Sequence, residues 1–411
     1  MDQFEHQLDQ YAELSVRVGA NLQPGQELII AADTASIQFV RKLVKHAYAA
    51  GAFYVHVLFN DEEITRTRFL DAPEESFKHY PEWLVKIRDE VAEKGGAYIY
   101  VDSQNPDLLQ GVKPERIAAA TKASGTALKK FREYVSSDKI SWNIVAVPSP
   151  EWAAKVFPNL SAEEQMKKLW EAIFKATRID QADPVAAWHQ HDDILQERVE
   201  FLNQKRYRKL HYRAPGTDLT IELPEKHLWL GGSSPDVKGV RFFANMPTEE
   251  VFTMPKKDGV NGKVSSTKPL NYGGNLIDNF SLTFEDGRIV DFQAEMGYEV
   301  LKHLIETDEG SHFLGEVALV PHDSPISNQN IIFFNTLFDE NASCHLAIGN
   351  AYSTNLEGGV DMSEEELAQH GANISITHVD FMIGSADLDI DGITADGKEE
   401  PIFRKGNWAL G

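Results

Sequence analysis

The first half of the chain alternates between two patterns of hydrophobic residues. Apolar residues recur at helical spacing in four segments, residues 2–22, 34–51, 81–96 and 113–135. Short apolar runs typical of buried strands lie at residues 24–32, 52–59, 97–104 and 140–149. Strand–helix–strand repeats imply parallel pairing with helices on both faces of a sheet. This pattern predicts an α/β domain.

Two more helical patterns follow, and then the pattern changes. Residues 160–177 begin with a capping box formed by Ser161 and Glu164, and residues 184–206 begin with a proline. From about residue 207 short alternating segments and turn residues dominate, as in "FSLTFEDGRIVDFQAE", where Asp-Gly is a hairpin signal. A few helical patterns occur in this part of the chain, including those at 296–309 and 363–370.

These patterns predict two domains. Residues 1–190 should form an α/β domain with a parallel sheet, and residues 191–411 a mainly antiparallel β (α+β) domain. The boundary falls between about residues 180 and 206. A chain of 411 residues is also too long for one simple core.

Composition narrows the class of partner. The chain has 63 acidic and 40 basic residues, a net charge of −23, which disfavours nucleic acids and anionic lipids as ligands. A single cysteine, Cys344, excludes an intramolecular disulfide and fits a reducing compartment. The N-terminus lacks a signal-peptide pattern, and no apolar run is long enough to span a membrane. We therefore expect a cytoplasmic protein.

A histidine and a carboxylate interrupt one apolar strand pattern. In "ISITHVDFMIG", His378 and Asp380 are two residues apart, so on a strand both side chains point to one face. The pair could be a hydrogen-bonded part of the core, or it could bind a metal ion.

Three other apolar segments each carry an ionisable group where a plain core would have none. Glu249 and Glu250 precede a strand pattern, and one of them must turn inward. Glu316 lies in "LGEVALV" and His345 precedes "LAIG", with Tyr352 seven residues further on. Such charges are costly in a core unless they are paired or bind metal. The alternative is that these are unrelated buried polar groups, each of which is hydrogen-bonded separately.

Together these groups form a mixed nitrogen and oxygen donor set. Two imidazoles and three carboxylates exceed what a structural zinc site needs, but they suit two divalent ions bridged by a carboxylate. Cys344 should point away from His345 on a strand and be buried. The segment 386–398 resembles a calcium loop, but Lys398 replaces the required glutamate, so a hairpin is expected. His189 and His191 are expected to be solvated helix residues.

The segments "NMPTEEVFT", "LGEVALV", "ENASCHLAIGNAYSTNLEGG" and "THVDFMIG" occur in an order that resembles the aminopeptidase T / aminopeptidase S family of metallo-aminopeptidases. The resemblance extends over the whole chain. Met254, where a smaller residue is expected, is a departure outside the ligand set.

The resemblance implies a site and an activity. Its metal ligands fall on Glu250, Glu316, His345, His378 and Asp380, and its active-site tyrosine falls on Tyr352. It implies two divalent ions (zinc, cobalt, magnesium or manganese), a homodimer and release of N-terminal residues from short peptides.

The expected reaction is attack of a metal-bridged hydroxide on the scissile carbonyl. Glu316 or Glu250 would bridge the metals and one of them would move the proton, while Tyr352 would stabilise the oxyanion. The α/β domain, which carries none of these residues, is expected to cover the site. Another dinuclear metal hydrolase, such as a phosphoesterase, and a non-catalytic metal-binding protein are the alternatives.

Overall fold

The structure is a computed structural model that describes residues 3–103, 105–272 and 275–410. It divides the chain into two units. The first unit contains residues 1–190 and 233–247, and the second contains residues 191–232 and 248–411. The segment Ser233–Pro247 therefore returns to the first unit after the chain has entered the second.

The helices, in chain order, are α1 (Gln3–Leu14), α2 (Ile37–Ala49), α3 (Glu62–Asp71), α4 (Glu82–Glu93), α5 (Pro114–Ala127), α6 (Lys129–Ser136), α7 (Pro150–Val156), α8 (Ala162–Ala176), α9 (Pro184–Lys205), α10 (Tyr298–Ile305), α11 (Thr336–Asp339) and α12 (Glu364–Gln369).

The strands are β1 (Glu27–Asp33), β2 (Tyr54–Asn60), β3 (Ala97–Asp102), β4 (Trp142–Ala146), β5 (Lys209–Ala214), β6 (Thr217–Glu222), β7 (Leu230–Gly231), β8 (Ser234–Pro235), β9 (Arg241–Phe242), β10 (Asn245–Met246), β11 (Val251–Thr253), β12 (Val260–Ser265), β13 (Leu270–Tyr272), β14 (Asn275–Glu285), β15 (Arg288–Met296), β16 (Leu314–Leu319), β17 (His345–Gly349), β18 (His378–Met382), β19 (Asp389–Ile393), β20 (Glu399–Arg404) and β21 (Asn407–Trp408).

The first unit is built on a parallel sheet with strand order β10-β4-β3-β1-β2. Its centre is apolar because β1 is buried along almost its whole length, as expected of a strand covered on both faces. Helices connect the successive strands, which confirms the predicted α/β fold class. The helix predicted over 113–135 is broken into α5 and α6, and the polar helix α3 was not predicted.

The second unit contains two antiparallel sheets. One has the order β18-β17-β16-β11-β7, and the other β13-β14-β12-β6-β5-β19-β20-β21, with β15 paired to β14. The Asp-Gly hairpin joins β14 to β15, and α10 and α12 lie inside the two helical segments predicted there. One apolar cluster contains residues of both sheets. The prediction of a mainly antiparallel C-terminal fold is confirmed.

Within the described ranges, no helix combines the length and apolar character needed to cross a membrane.

Candidate metal centre

The five-stranded sheet of the second unit brings the candidate ligands to one face. In the register of β16, β17 and β18, Asp380 lies opposite Ala347, and Ala347 lies opposite Glu316. His345 occupies the neighbouring row of β17, opposite Ala318 of β16. The two rows differ by two residues along each strand, so their side chains share a face.

The strand pattern explains why this face is polar and why there is space between its carboxylates. The alternate residues of the same strands, among them Val317, Leu346 and Phe381, are buried in the apolar cluster of the unit. On the polar face, Ala347 between the two carboxylates has only a methyl group. The short side chain leaves space between Glu316 and Asp380 that a larger residue would fill.

Glu316 lies between the two histidines. One carboxylate oxygen, Oε1, is 3.5 Å from Nε2 of His345, and Oε2 is 3.5 Å from Nε2 of His378. Glu250 Oε2 is 3.1 Å from Nε2 of His345, and Asp380 Oδ1 is 3.4 Å from Nε2 of His378. We call these five residues the acid–histidine cluster. It contains two groups of candidate metal ligands that share Glu316.

Backbone carbonyls fix the orientation of both imidazoles. Nδ1 of His345 lies 3.1 Å from the carbonyl oxygen of Ser343, and Nδ1 of His378 lies 2.8 Å from that of Asn350. A proton on each Nδ1 would donate to these carbonyls and leave the Nε2 lone pair directed at the carboxylates. Such a backbone contact is the usual way in which a metal-binding histidine is oriented.

The cluster is electrostatically coupled. Burial alone would lower the pKa of His345, but hydrogen bonds to Glu250 and Glu316 raise it well above its ordinary value. Burial raises the pKa of Glu250. For Glu316, burial acts in the same direction, but the hydrogen bonds to His345 and His378 hold its pKa below the ordinary value. Protons on the imidazoles therefore balance part of the buried negative charge.

The donor set fits divalent cations. It consists of two imidazole nitrogens and three carboxylates, the ligand types that zinc, cobalt and manganese share in proteins. Asp380 Oδ1 is buried and accepts no well-formed hydrogen bond within the described ranges. A bound cation would satisfy this oxygen and would replace the imidazolium protons as the balancing charge.

Tyr352 lies beside the cluster. The centre of its ring lies 4.6 Å from that of His378, with the two rings tilted by 41°, and it meets the ring of Phe252 edge-on at 6.4 Å. Burial raises the pKa of Tyr352 above its ordinary value, and the nearby Glu316 and Asp380 act in the same direction. The phenol therefore stays protonated near neutral pH and is available as a hydrogen-bond donor.

Glu340 is a further acid of this site that the sequence reasoning missed. Burial raises its pKa well above the ordinary value, and the charges of Asp380 and Glu250 raise it further. Asn341 supports the arrangement, because its side chain donates to Glu340 and accepts from the backbone N–H of Glu249. Glu340 is the first residue of a short 3-10 turn and belongs to no segment with strand or helix periodicity, so no sequence pattern marked it.

Glu249 and His191 form a neighbouring contact. Nε2 of His191 lies 2.8 Å from the carbonyl oxygen of Thr248 and 3.5 Å from Glu249 Oε2. His189 is exposed as expected, but the prediction of a solvated His191 is wrong, because its side chain is only 11% exposed. The contact could not be read from the sequence, since 57 residues separate His191 from Thr248.

The remaining candidates lie outside the acid–histidine cluster. Cys344 is buried, as predicted, and its thiol exchanges hydrogen bonds with the backbone of Val320, while burial raises its pKa to about 12. The calcium-like segment is the predicted hairpin, β19 to β20, and its Asp391 pairs with Arg213 and Arg404. Met254 is fully buried in a separate small apolar cluster.

A sheet face that carries two coupled groups of carboxylate and imidazole donors, with a protonated tyrosine beside them, defines a class of protein, the metal-dependent hydrolases. The family model described as thermophilic metalloprotease (M29) matches residues 4–408. The chain belongs to this family.

Relatives and a solved structure agree with this assignment. The chain is 60% identical to aminopeptidase AmpS of Bacillus subtilis (strain 168) over 410 residues, covering 100% of both chains. It is 56% identical to aminopeptidase 2 of Geobacillus stearothermophilus, covering 100% of this chain and 99% of the relative. The structure titled wild-type AmpT from Thermus thermophilus superposes with a TM-score of 0.94 at 43% identity, covering 99% of this chain and 100% of that chain.

Proposed function

We propose that this metalloprotease is a two-metal aminopeptidase that releases N-terminal amino acids from short peptides. The observation that carries the proposal is the position of Glu316, whose two oxygens face the two histidines. One carboxylate shared by two ligand groups is the arrangement that a pair of neighbouring ions requires. The names of the relatives, which are aminopeptidases, support the choice of substrate.

The ligand roles follow from the two groups. We assign Glu250 and His345 to one ion, His378 and Asp380 to the other, and Glu316 to both. When bound, two such ions supply a water acidic enough to attack near neutral pH and a Lewis acid for the scissile carbonyl. The bridging role, which the sequence left open between Glu316 and Glu250, is therefore assigned to Glu316.

Tyr352 is assigned to the developing oxyanion. Its ring is held between His378 and Phe252, which limits where its hydroxyl can lie. A protonated phenol beside the ligand groups can donate a hydrogen bond to the carbonyl oxygen as negative charge accumulates there. The donation is stronger in the transition state than in the bound peptide, which is the condition for catalysis.

We assign proton transfer to Glu340. The residue is not a member of either ligand group, yet its charge is coupled to those of Asp380 and Glu250. Bound cations would favour the ionised form of this carboxyl group, which can then accept the proton of the attacking water and pass it to the leaving amine. The expectation from the sequence placed this task on Glu316 or Glu250, whose oxygens face the histidines instead.

The requirement for a free N-terminus follows from charge. Bound ions would offset the three carboxylates of the cluster, but the whole chain has a net charge of −23. This field attracts the ammonium group of a peptide and repels a phosphoester, so it favours an aminopeptidase over a phosphoesterase. Zinc, cobalt, magnesium or manganese as the ions, a homodimer and a cytoplasmic location are proposed from the sequence resemblance.

The test is a substrate panel measured after chelation and metal add-back. We expect metal-dependent hydrolysis of leucyl-, arginyl- or glutamyl-p-nitroanilide, no hydrolysis of N-acetylated leucyl-p-nitroanilide and no hydrolysis of p-nitrophenyl phosphate. Hydrolysis of the phosphoester alone would favour another dinuclear hydrolase. Stable metal binding without any hydrolysis would favour a non-catalytic metal protein.

A further inference from the structure

A small cavity adjoins the acid–histidine cluster in the second unit. Two acids of the site, Asp380 and Glu340, form part of its wall. The rest of the wall is mixed: polar or acidic residues contribute Asn271, Asn335, Thr336 and Asp339, and apolar residues contribute Pro269, Leu270, Phe334 and Met382. Met382 is two residues from Asp380 on β18, so both side chains lie on the same face of the strand. The cavity therefore adjoins the acids of the site and has a mixed polar and apolar wall.

The loop that carries Phe334 has an unusual backbone. Phe334 has a φ of +54°, a left-handed conformation that a bulky aromatic residue adopts only at a cost in free energy. Such strain persists where the surrounding structure holds it, and it is concentrated at ligand-binding positions. A relaxed backbone here would turn the aromatic side chain to a different position.

Asp339 holds this loop in place. Its Oδ1 accepts a hydrogen bond of 2.8 Å from the backbone N–H of Phe333, and Oδ2 accepts one of 3.2 Å from that of Asn335. The two donors flank Phe334, so one buried carboxylate fixes the residues on both sides of the strained position. Because Asp339 is occupied by these backbone groups, it is poorly available to pair with a cationic substrate side chain.

The size and lining of the cavity restrict its ligand. Its volume is about 40 Å³. A water needs about 10–15 Å³ on this scale, so the cavity holds about three groups of that size. This is close to the branched side chain of valine or leucine and far below that of tryptophan.

We propose that this cavity receives the side chain of the peptide's N-terminal residue, and that Phe334 sets the largest side chain that fits. The inference rests on the proposed function, since Asp380 and Glu340, which line the cavity, are acids expected near the substrate's amino group. It makes the protein selective for N-terminal residues of medium size. Phe334 is then a specificity residue, and Asp339 positions it.

The test compares kcat/KM for alanyl-, leucyl- and tryptophanyl-p-nitroanilide in the metal-loaded protein and two variants. Phe334→Ala should lower the preference for leucine over tryptophan by about tenfold, the usual discrimination from a change in pocket size. Phe334→Trp should shift the preference from leucine towards alanine. Phe53→Ala, which truncates a phenylalanine that is 73% exposed, is the matched control and should keep the wild-type ratios.

If kcat/KM changes by the same factor for all three substrates in the Phe334 variants, or does not change, the ratios stay as in the wild type and the proposal is overturned. Binding of free L-leucine and L-tryptophan, measured by calorimetry on the same proteins, separates this proposal from the proposed function. If no aminoacyl substrate is hydrolysed, the proposed function fails. Tighter wild-type binding of leucine, lost in Phe334→Ala, would still support the cavity. Equal binding of both amino acids in the wild type would overturn it.

Discussion

Glu316 is the residue on which the proposed centre depends most. Each of its oxygens faces a different imidazole, whereas Glu250 faces only His345. Replacing this shared carboxylate by an amide should therefore affect both ligand groups.

We predict that Glu316→Gln loses both ions and that Glu250→Gln loses one, because the neutral amide offers one weak oxygen donor in place of a charged carboxylate with two. Metal per chain after gel filtration, determined by plasma mass spectrometry, is the measurement. Circular dichroism serves as the folding control. Two ions retained by folded Glu316→Gln would show that Glu316 is not the shared ligand.

Tyr352 is predicted to act on the rate and not on the metal. Tyr352→Phe keeps the ring against His378 and Phe252 and removes only the hydroxyl. The loss of one preorganised oxyanion donor typically lowers kcat by a factor of about 10² to 10³. Steady-state kinetics on leucyl-p-nitroanilide, with metal content determined in parallel, test this. An unchanged kcat would assign Tyr352 to packing alone.

Single residues also show which parts of the site can be predicted from the sequence. His378 and Asp380 could be identified because a strand places alternate residues on one face, and an acid or base there breaks an apolar pattern. Glu340 and His191 could not be found in this way. Their positions depend on contacts with Asn341 and Thr248, and the second of these joins segments that are distant along the chain.

At the scale of elements, the strong periodic segments were the predictable ones. Strands β1 to β4 of the parallel sheet lie in the four apolar runs and extend at most one residue beyond them, because a buried strand needs a continuous apolar sequence. Helix α3 has a polar sequence with little amphipathic pattern, so only its capping residue Asp61 marked its start. The return of Ser233–Pro247 to the first unit depends on pairing of β10 with β4 and left no local pattern.

The loop at α11 gives a prediction about pH. Burial raises the pKa of Asp339 from 3.8 to about 6. Because the folded state holds the proton more tightly than the unfolded state, the stability that Asp339 contributes is complete below about pH 4 and is lost as the pH rises through about 6. The difference corresponds to about 3 kcal/mol.

Asp339→Asn should remove this pH dependence. Between about pH 4 and about pH 7, the wild type should lose about 3 kcal/mol more of its free energy of unfolding than the variant does. Urea unfolding at the two pH values measures this difference. If the free energy of unfolding changes with pH by the same amount in both proteins, the pKa of Asp339 is not raised in the folded state.

At the scale of the whole molecule, the candidate ligands all belong to the second unit. The sequence predicts that residues 1–190 restrict access to the site, and this stays a prediction. If it is correct, short peptides are cleaved and a folded protein with a free N-terminus is not. Mass spectrometry of a dipeptide, an octapeptide and a folded protein after incubation decides this. Rapid trimming of the folded protein would contradict a restricted entrance.

The family, the fold and the geometry of the acid–histidine cluster lead to one central claim, which is that two bound ions give a peptidase specific for free N-termini. The most direct measurement is a titration of the metal-free protein with zinc, cobalt or manganese. Two quantities are followed together. The first is the number of bound ions per chain, and the second is the release of leucine from a free peptide and from its N-acetylated form. The account predicts that activity reaches its maximum at two ions per chain and that the acetylated peptide stays intact. Full activity at one ion per chain, or cleavage of the acetylated peptide, would contradict it.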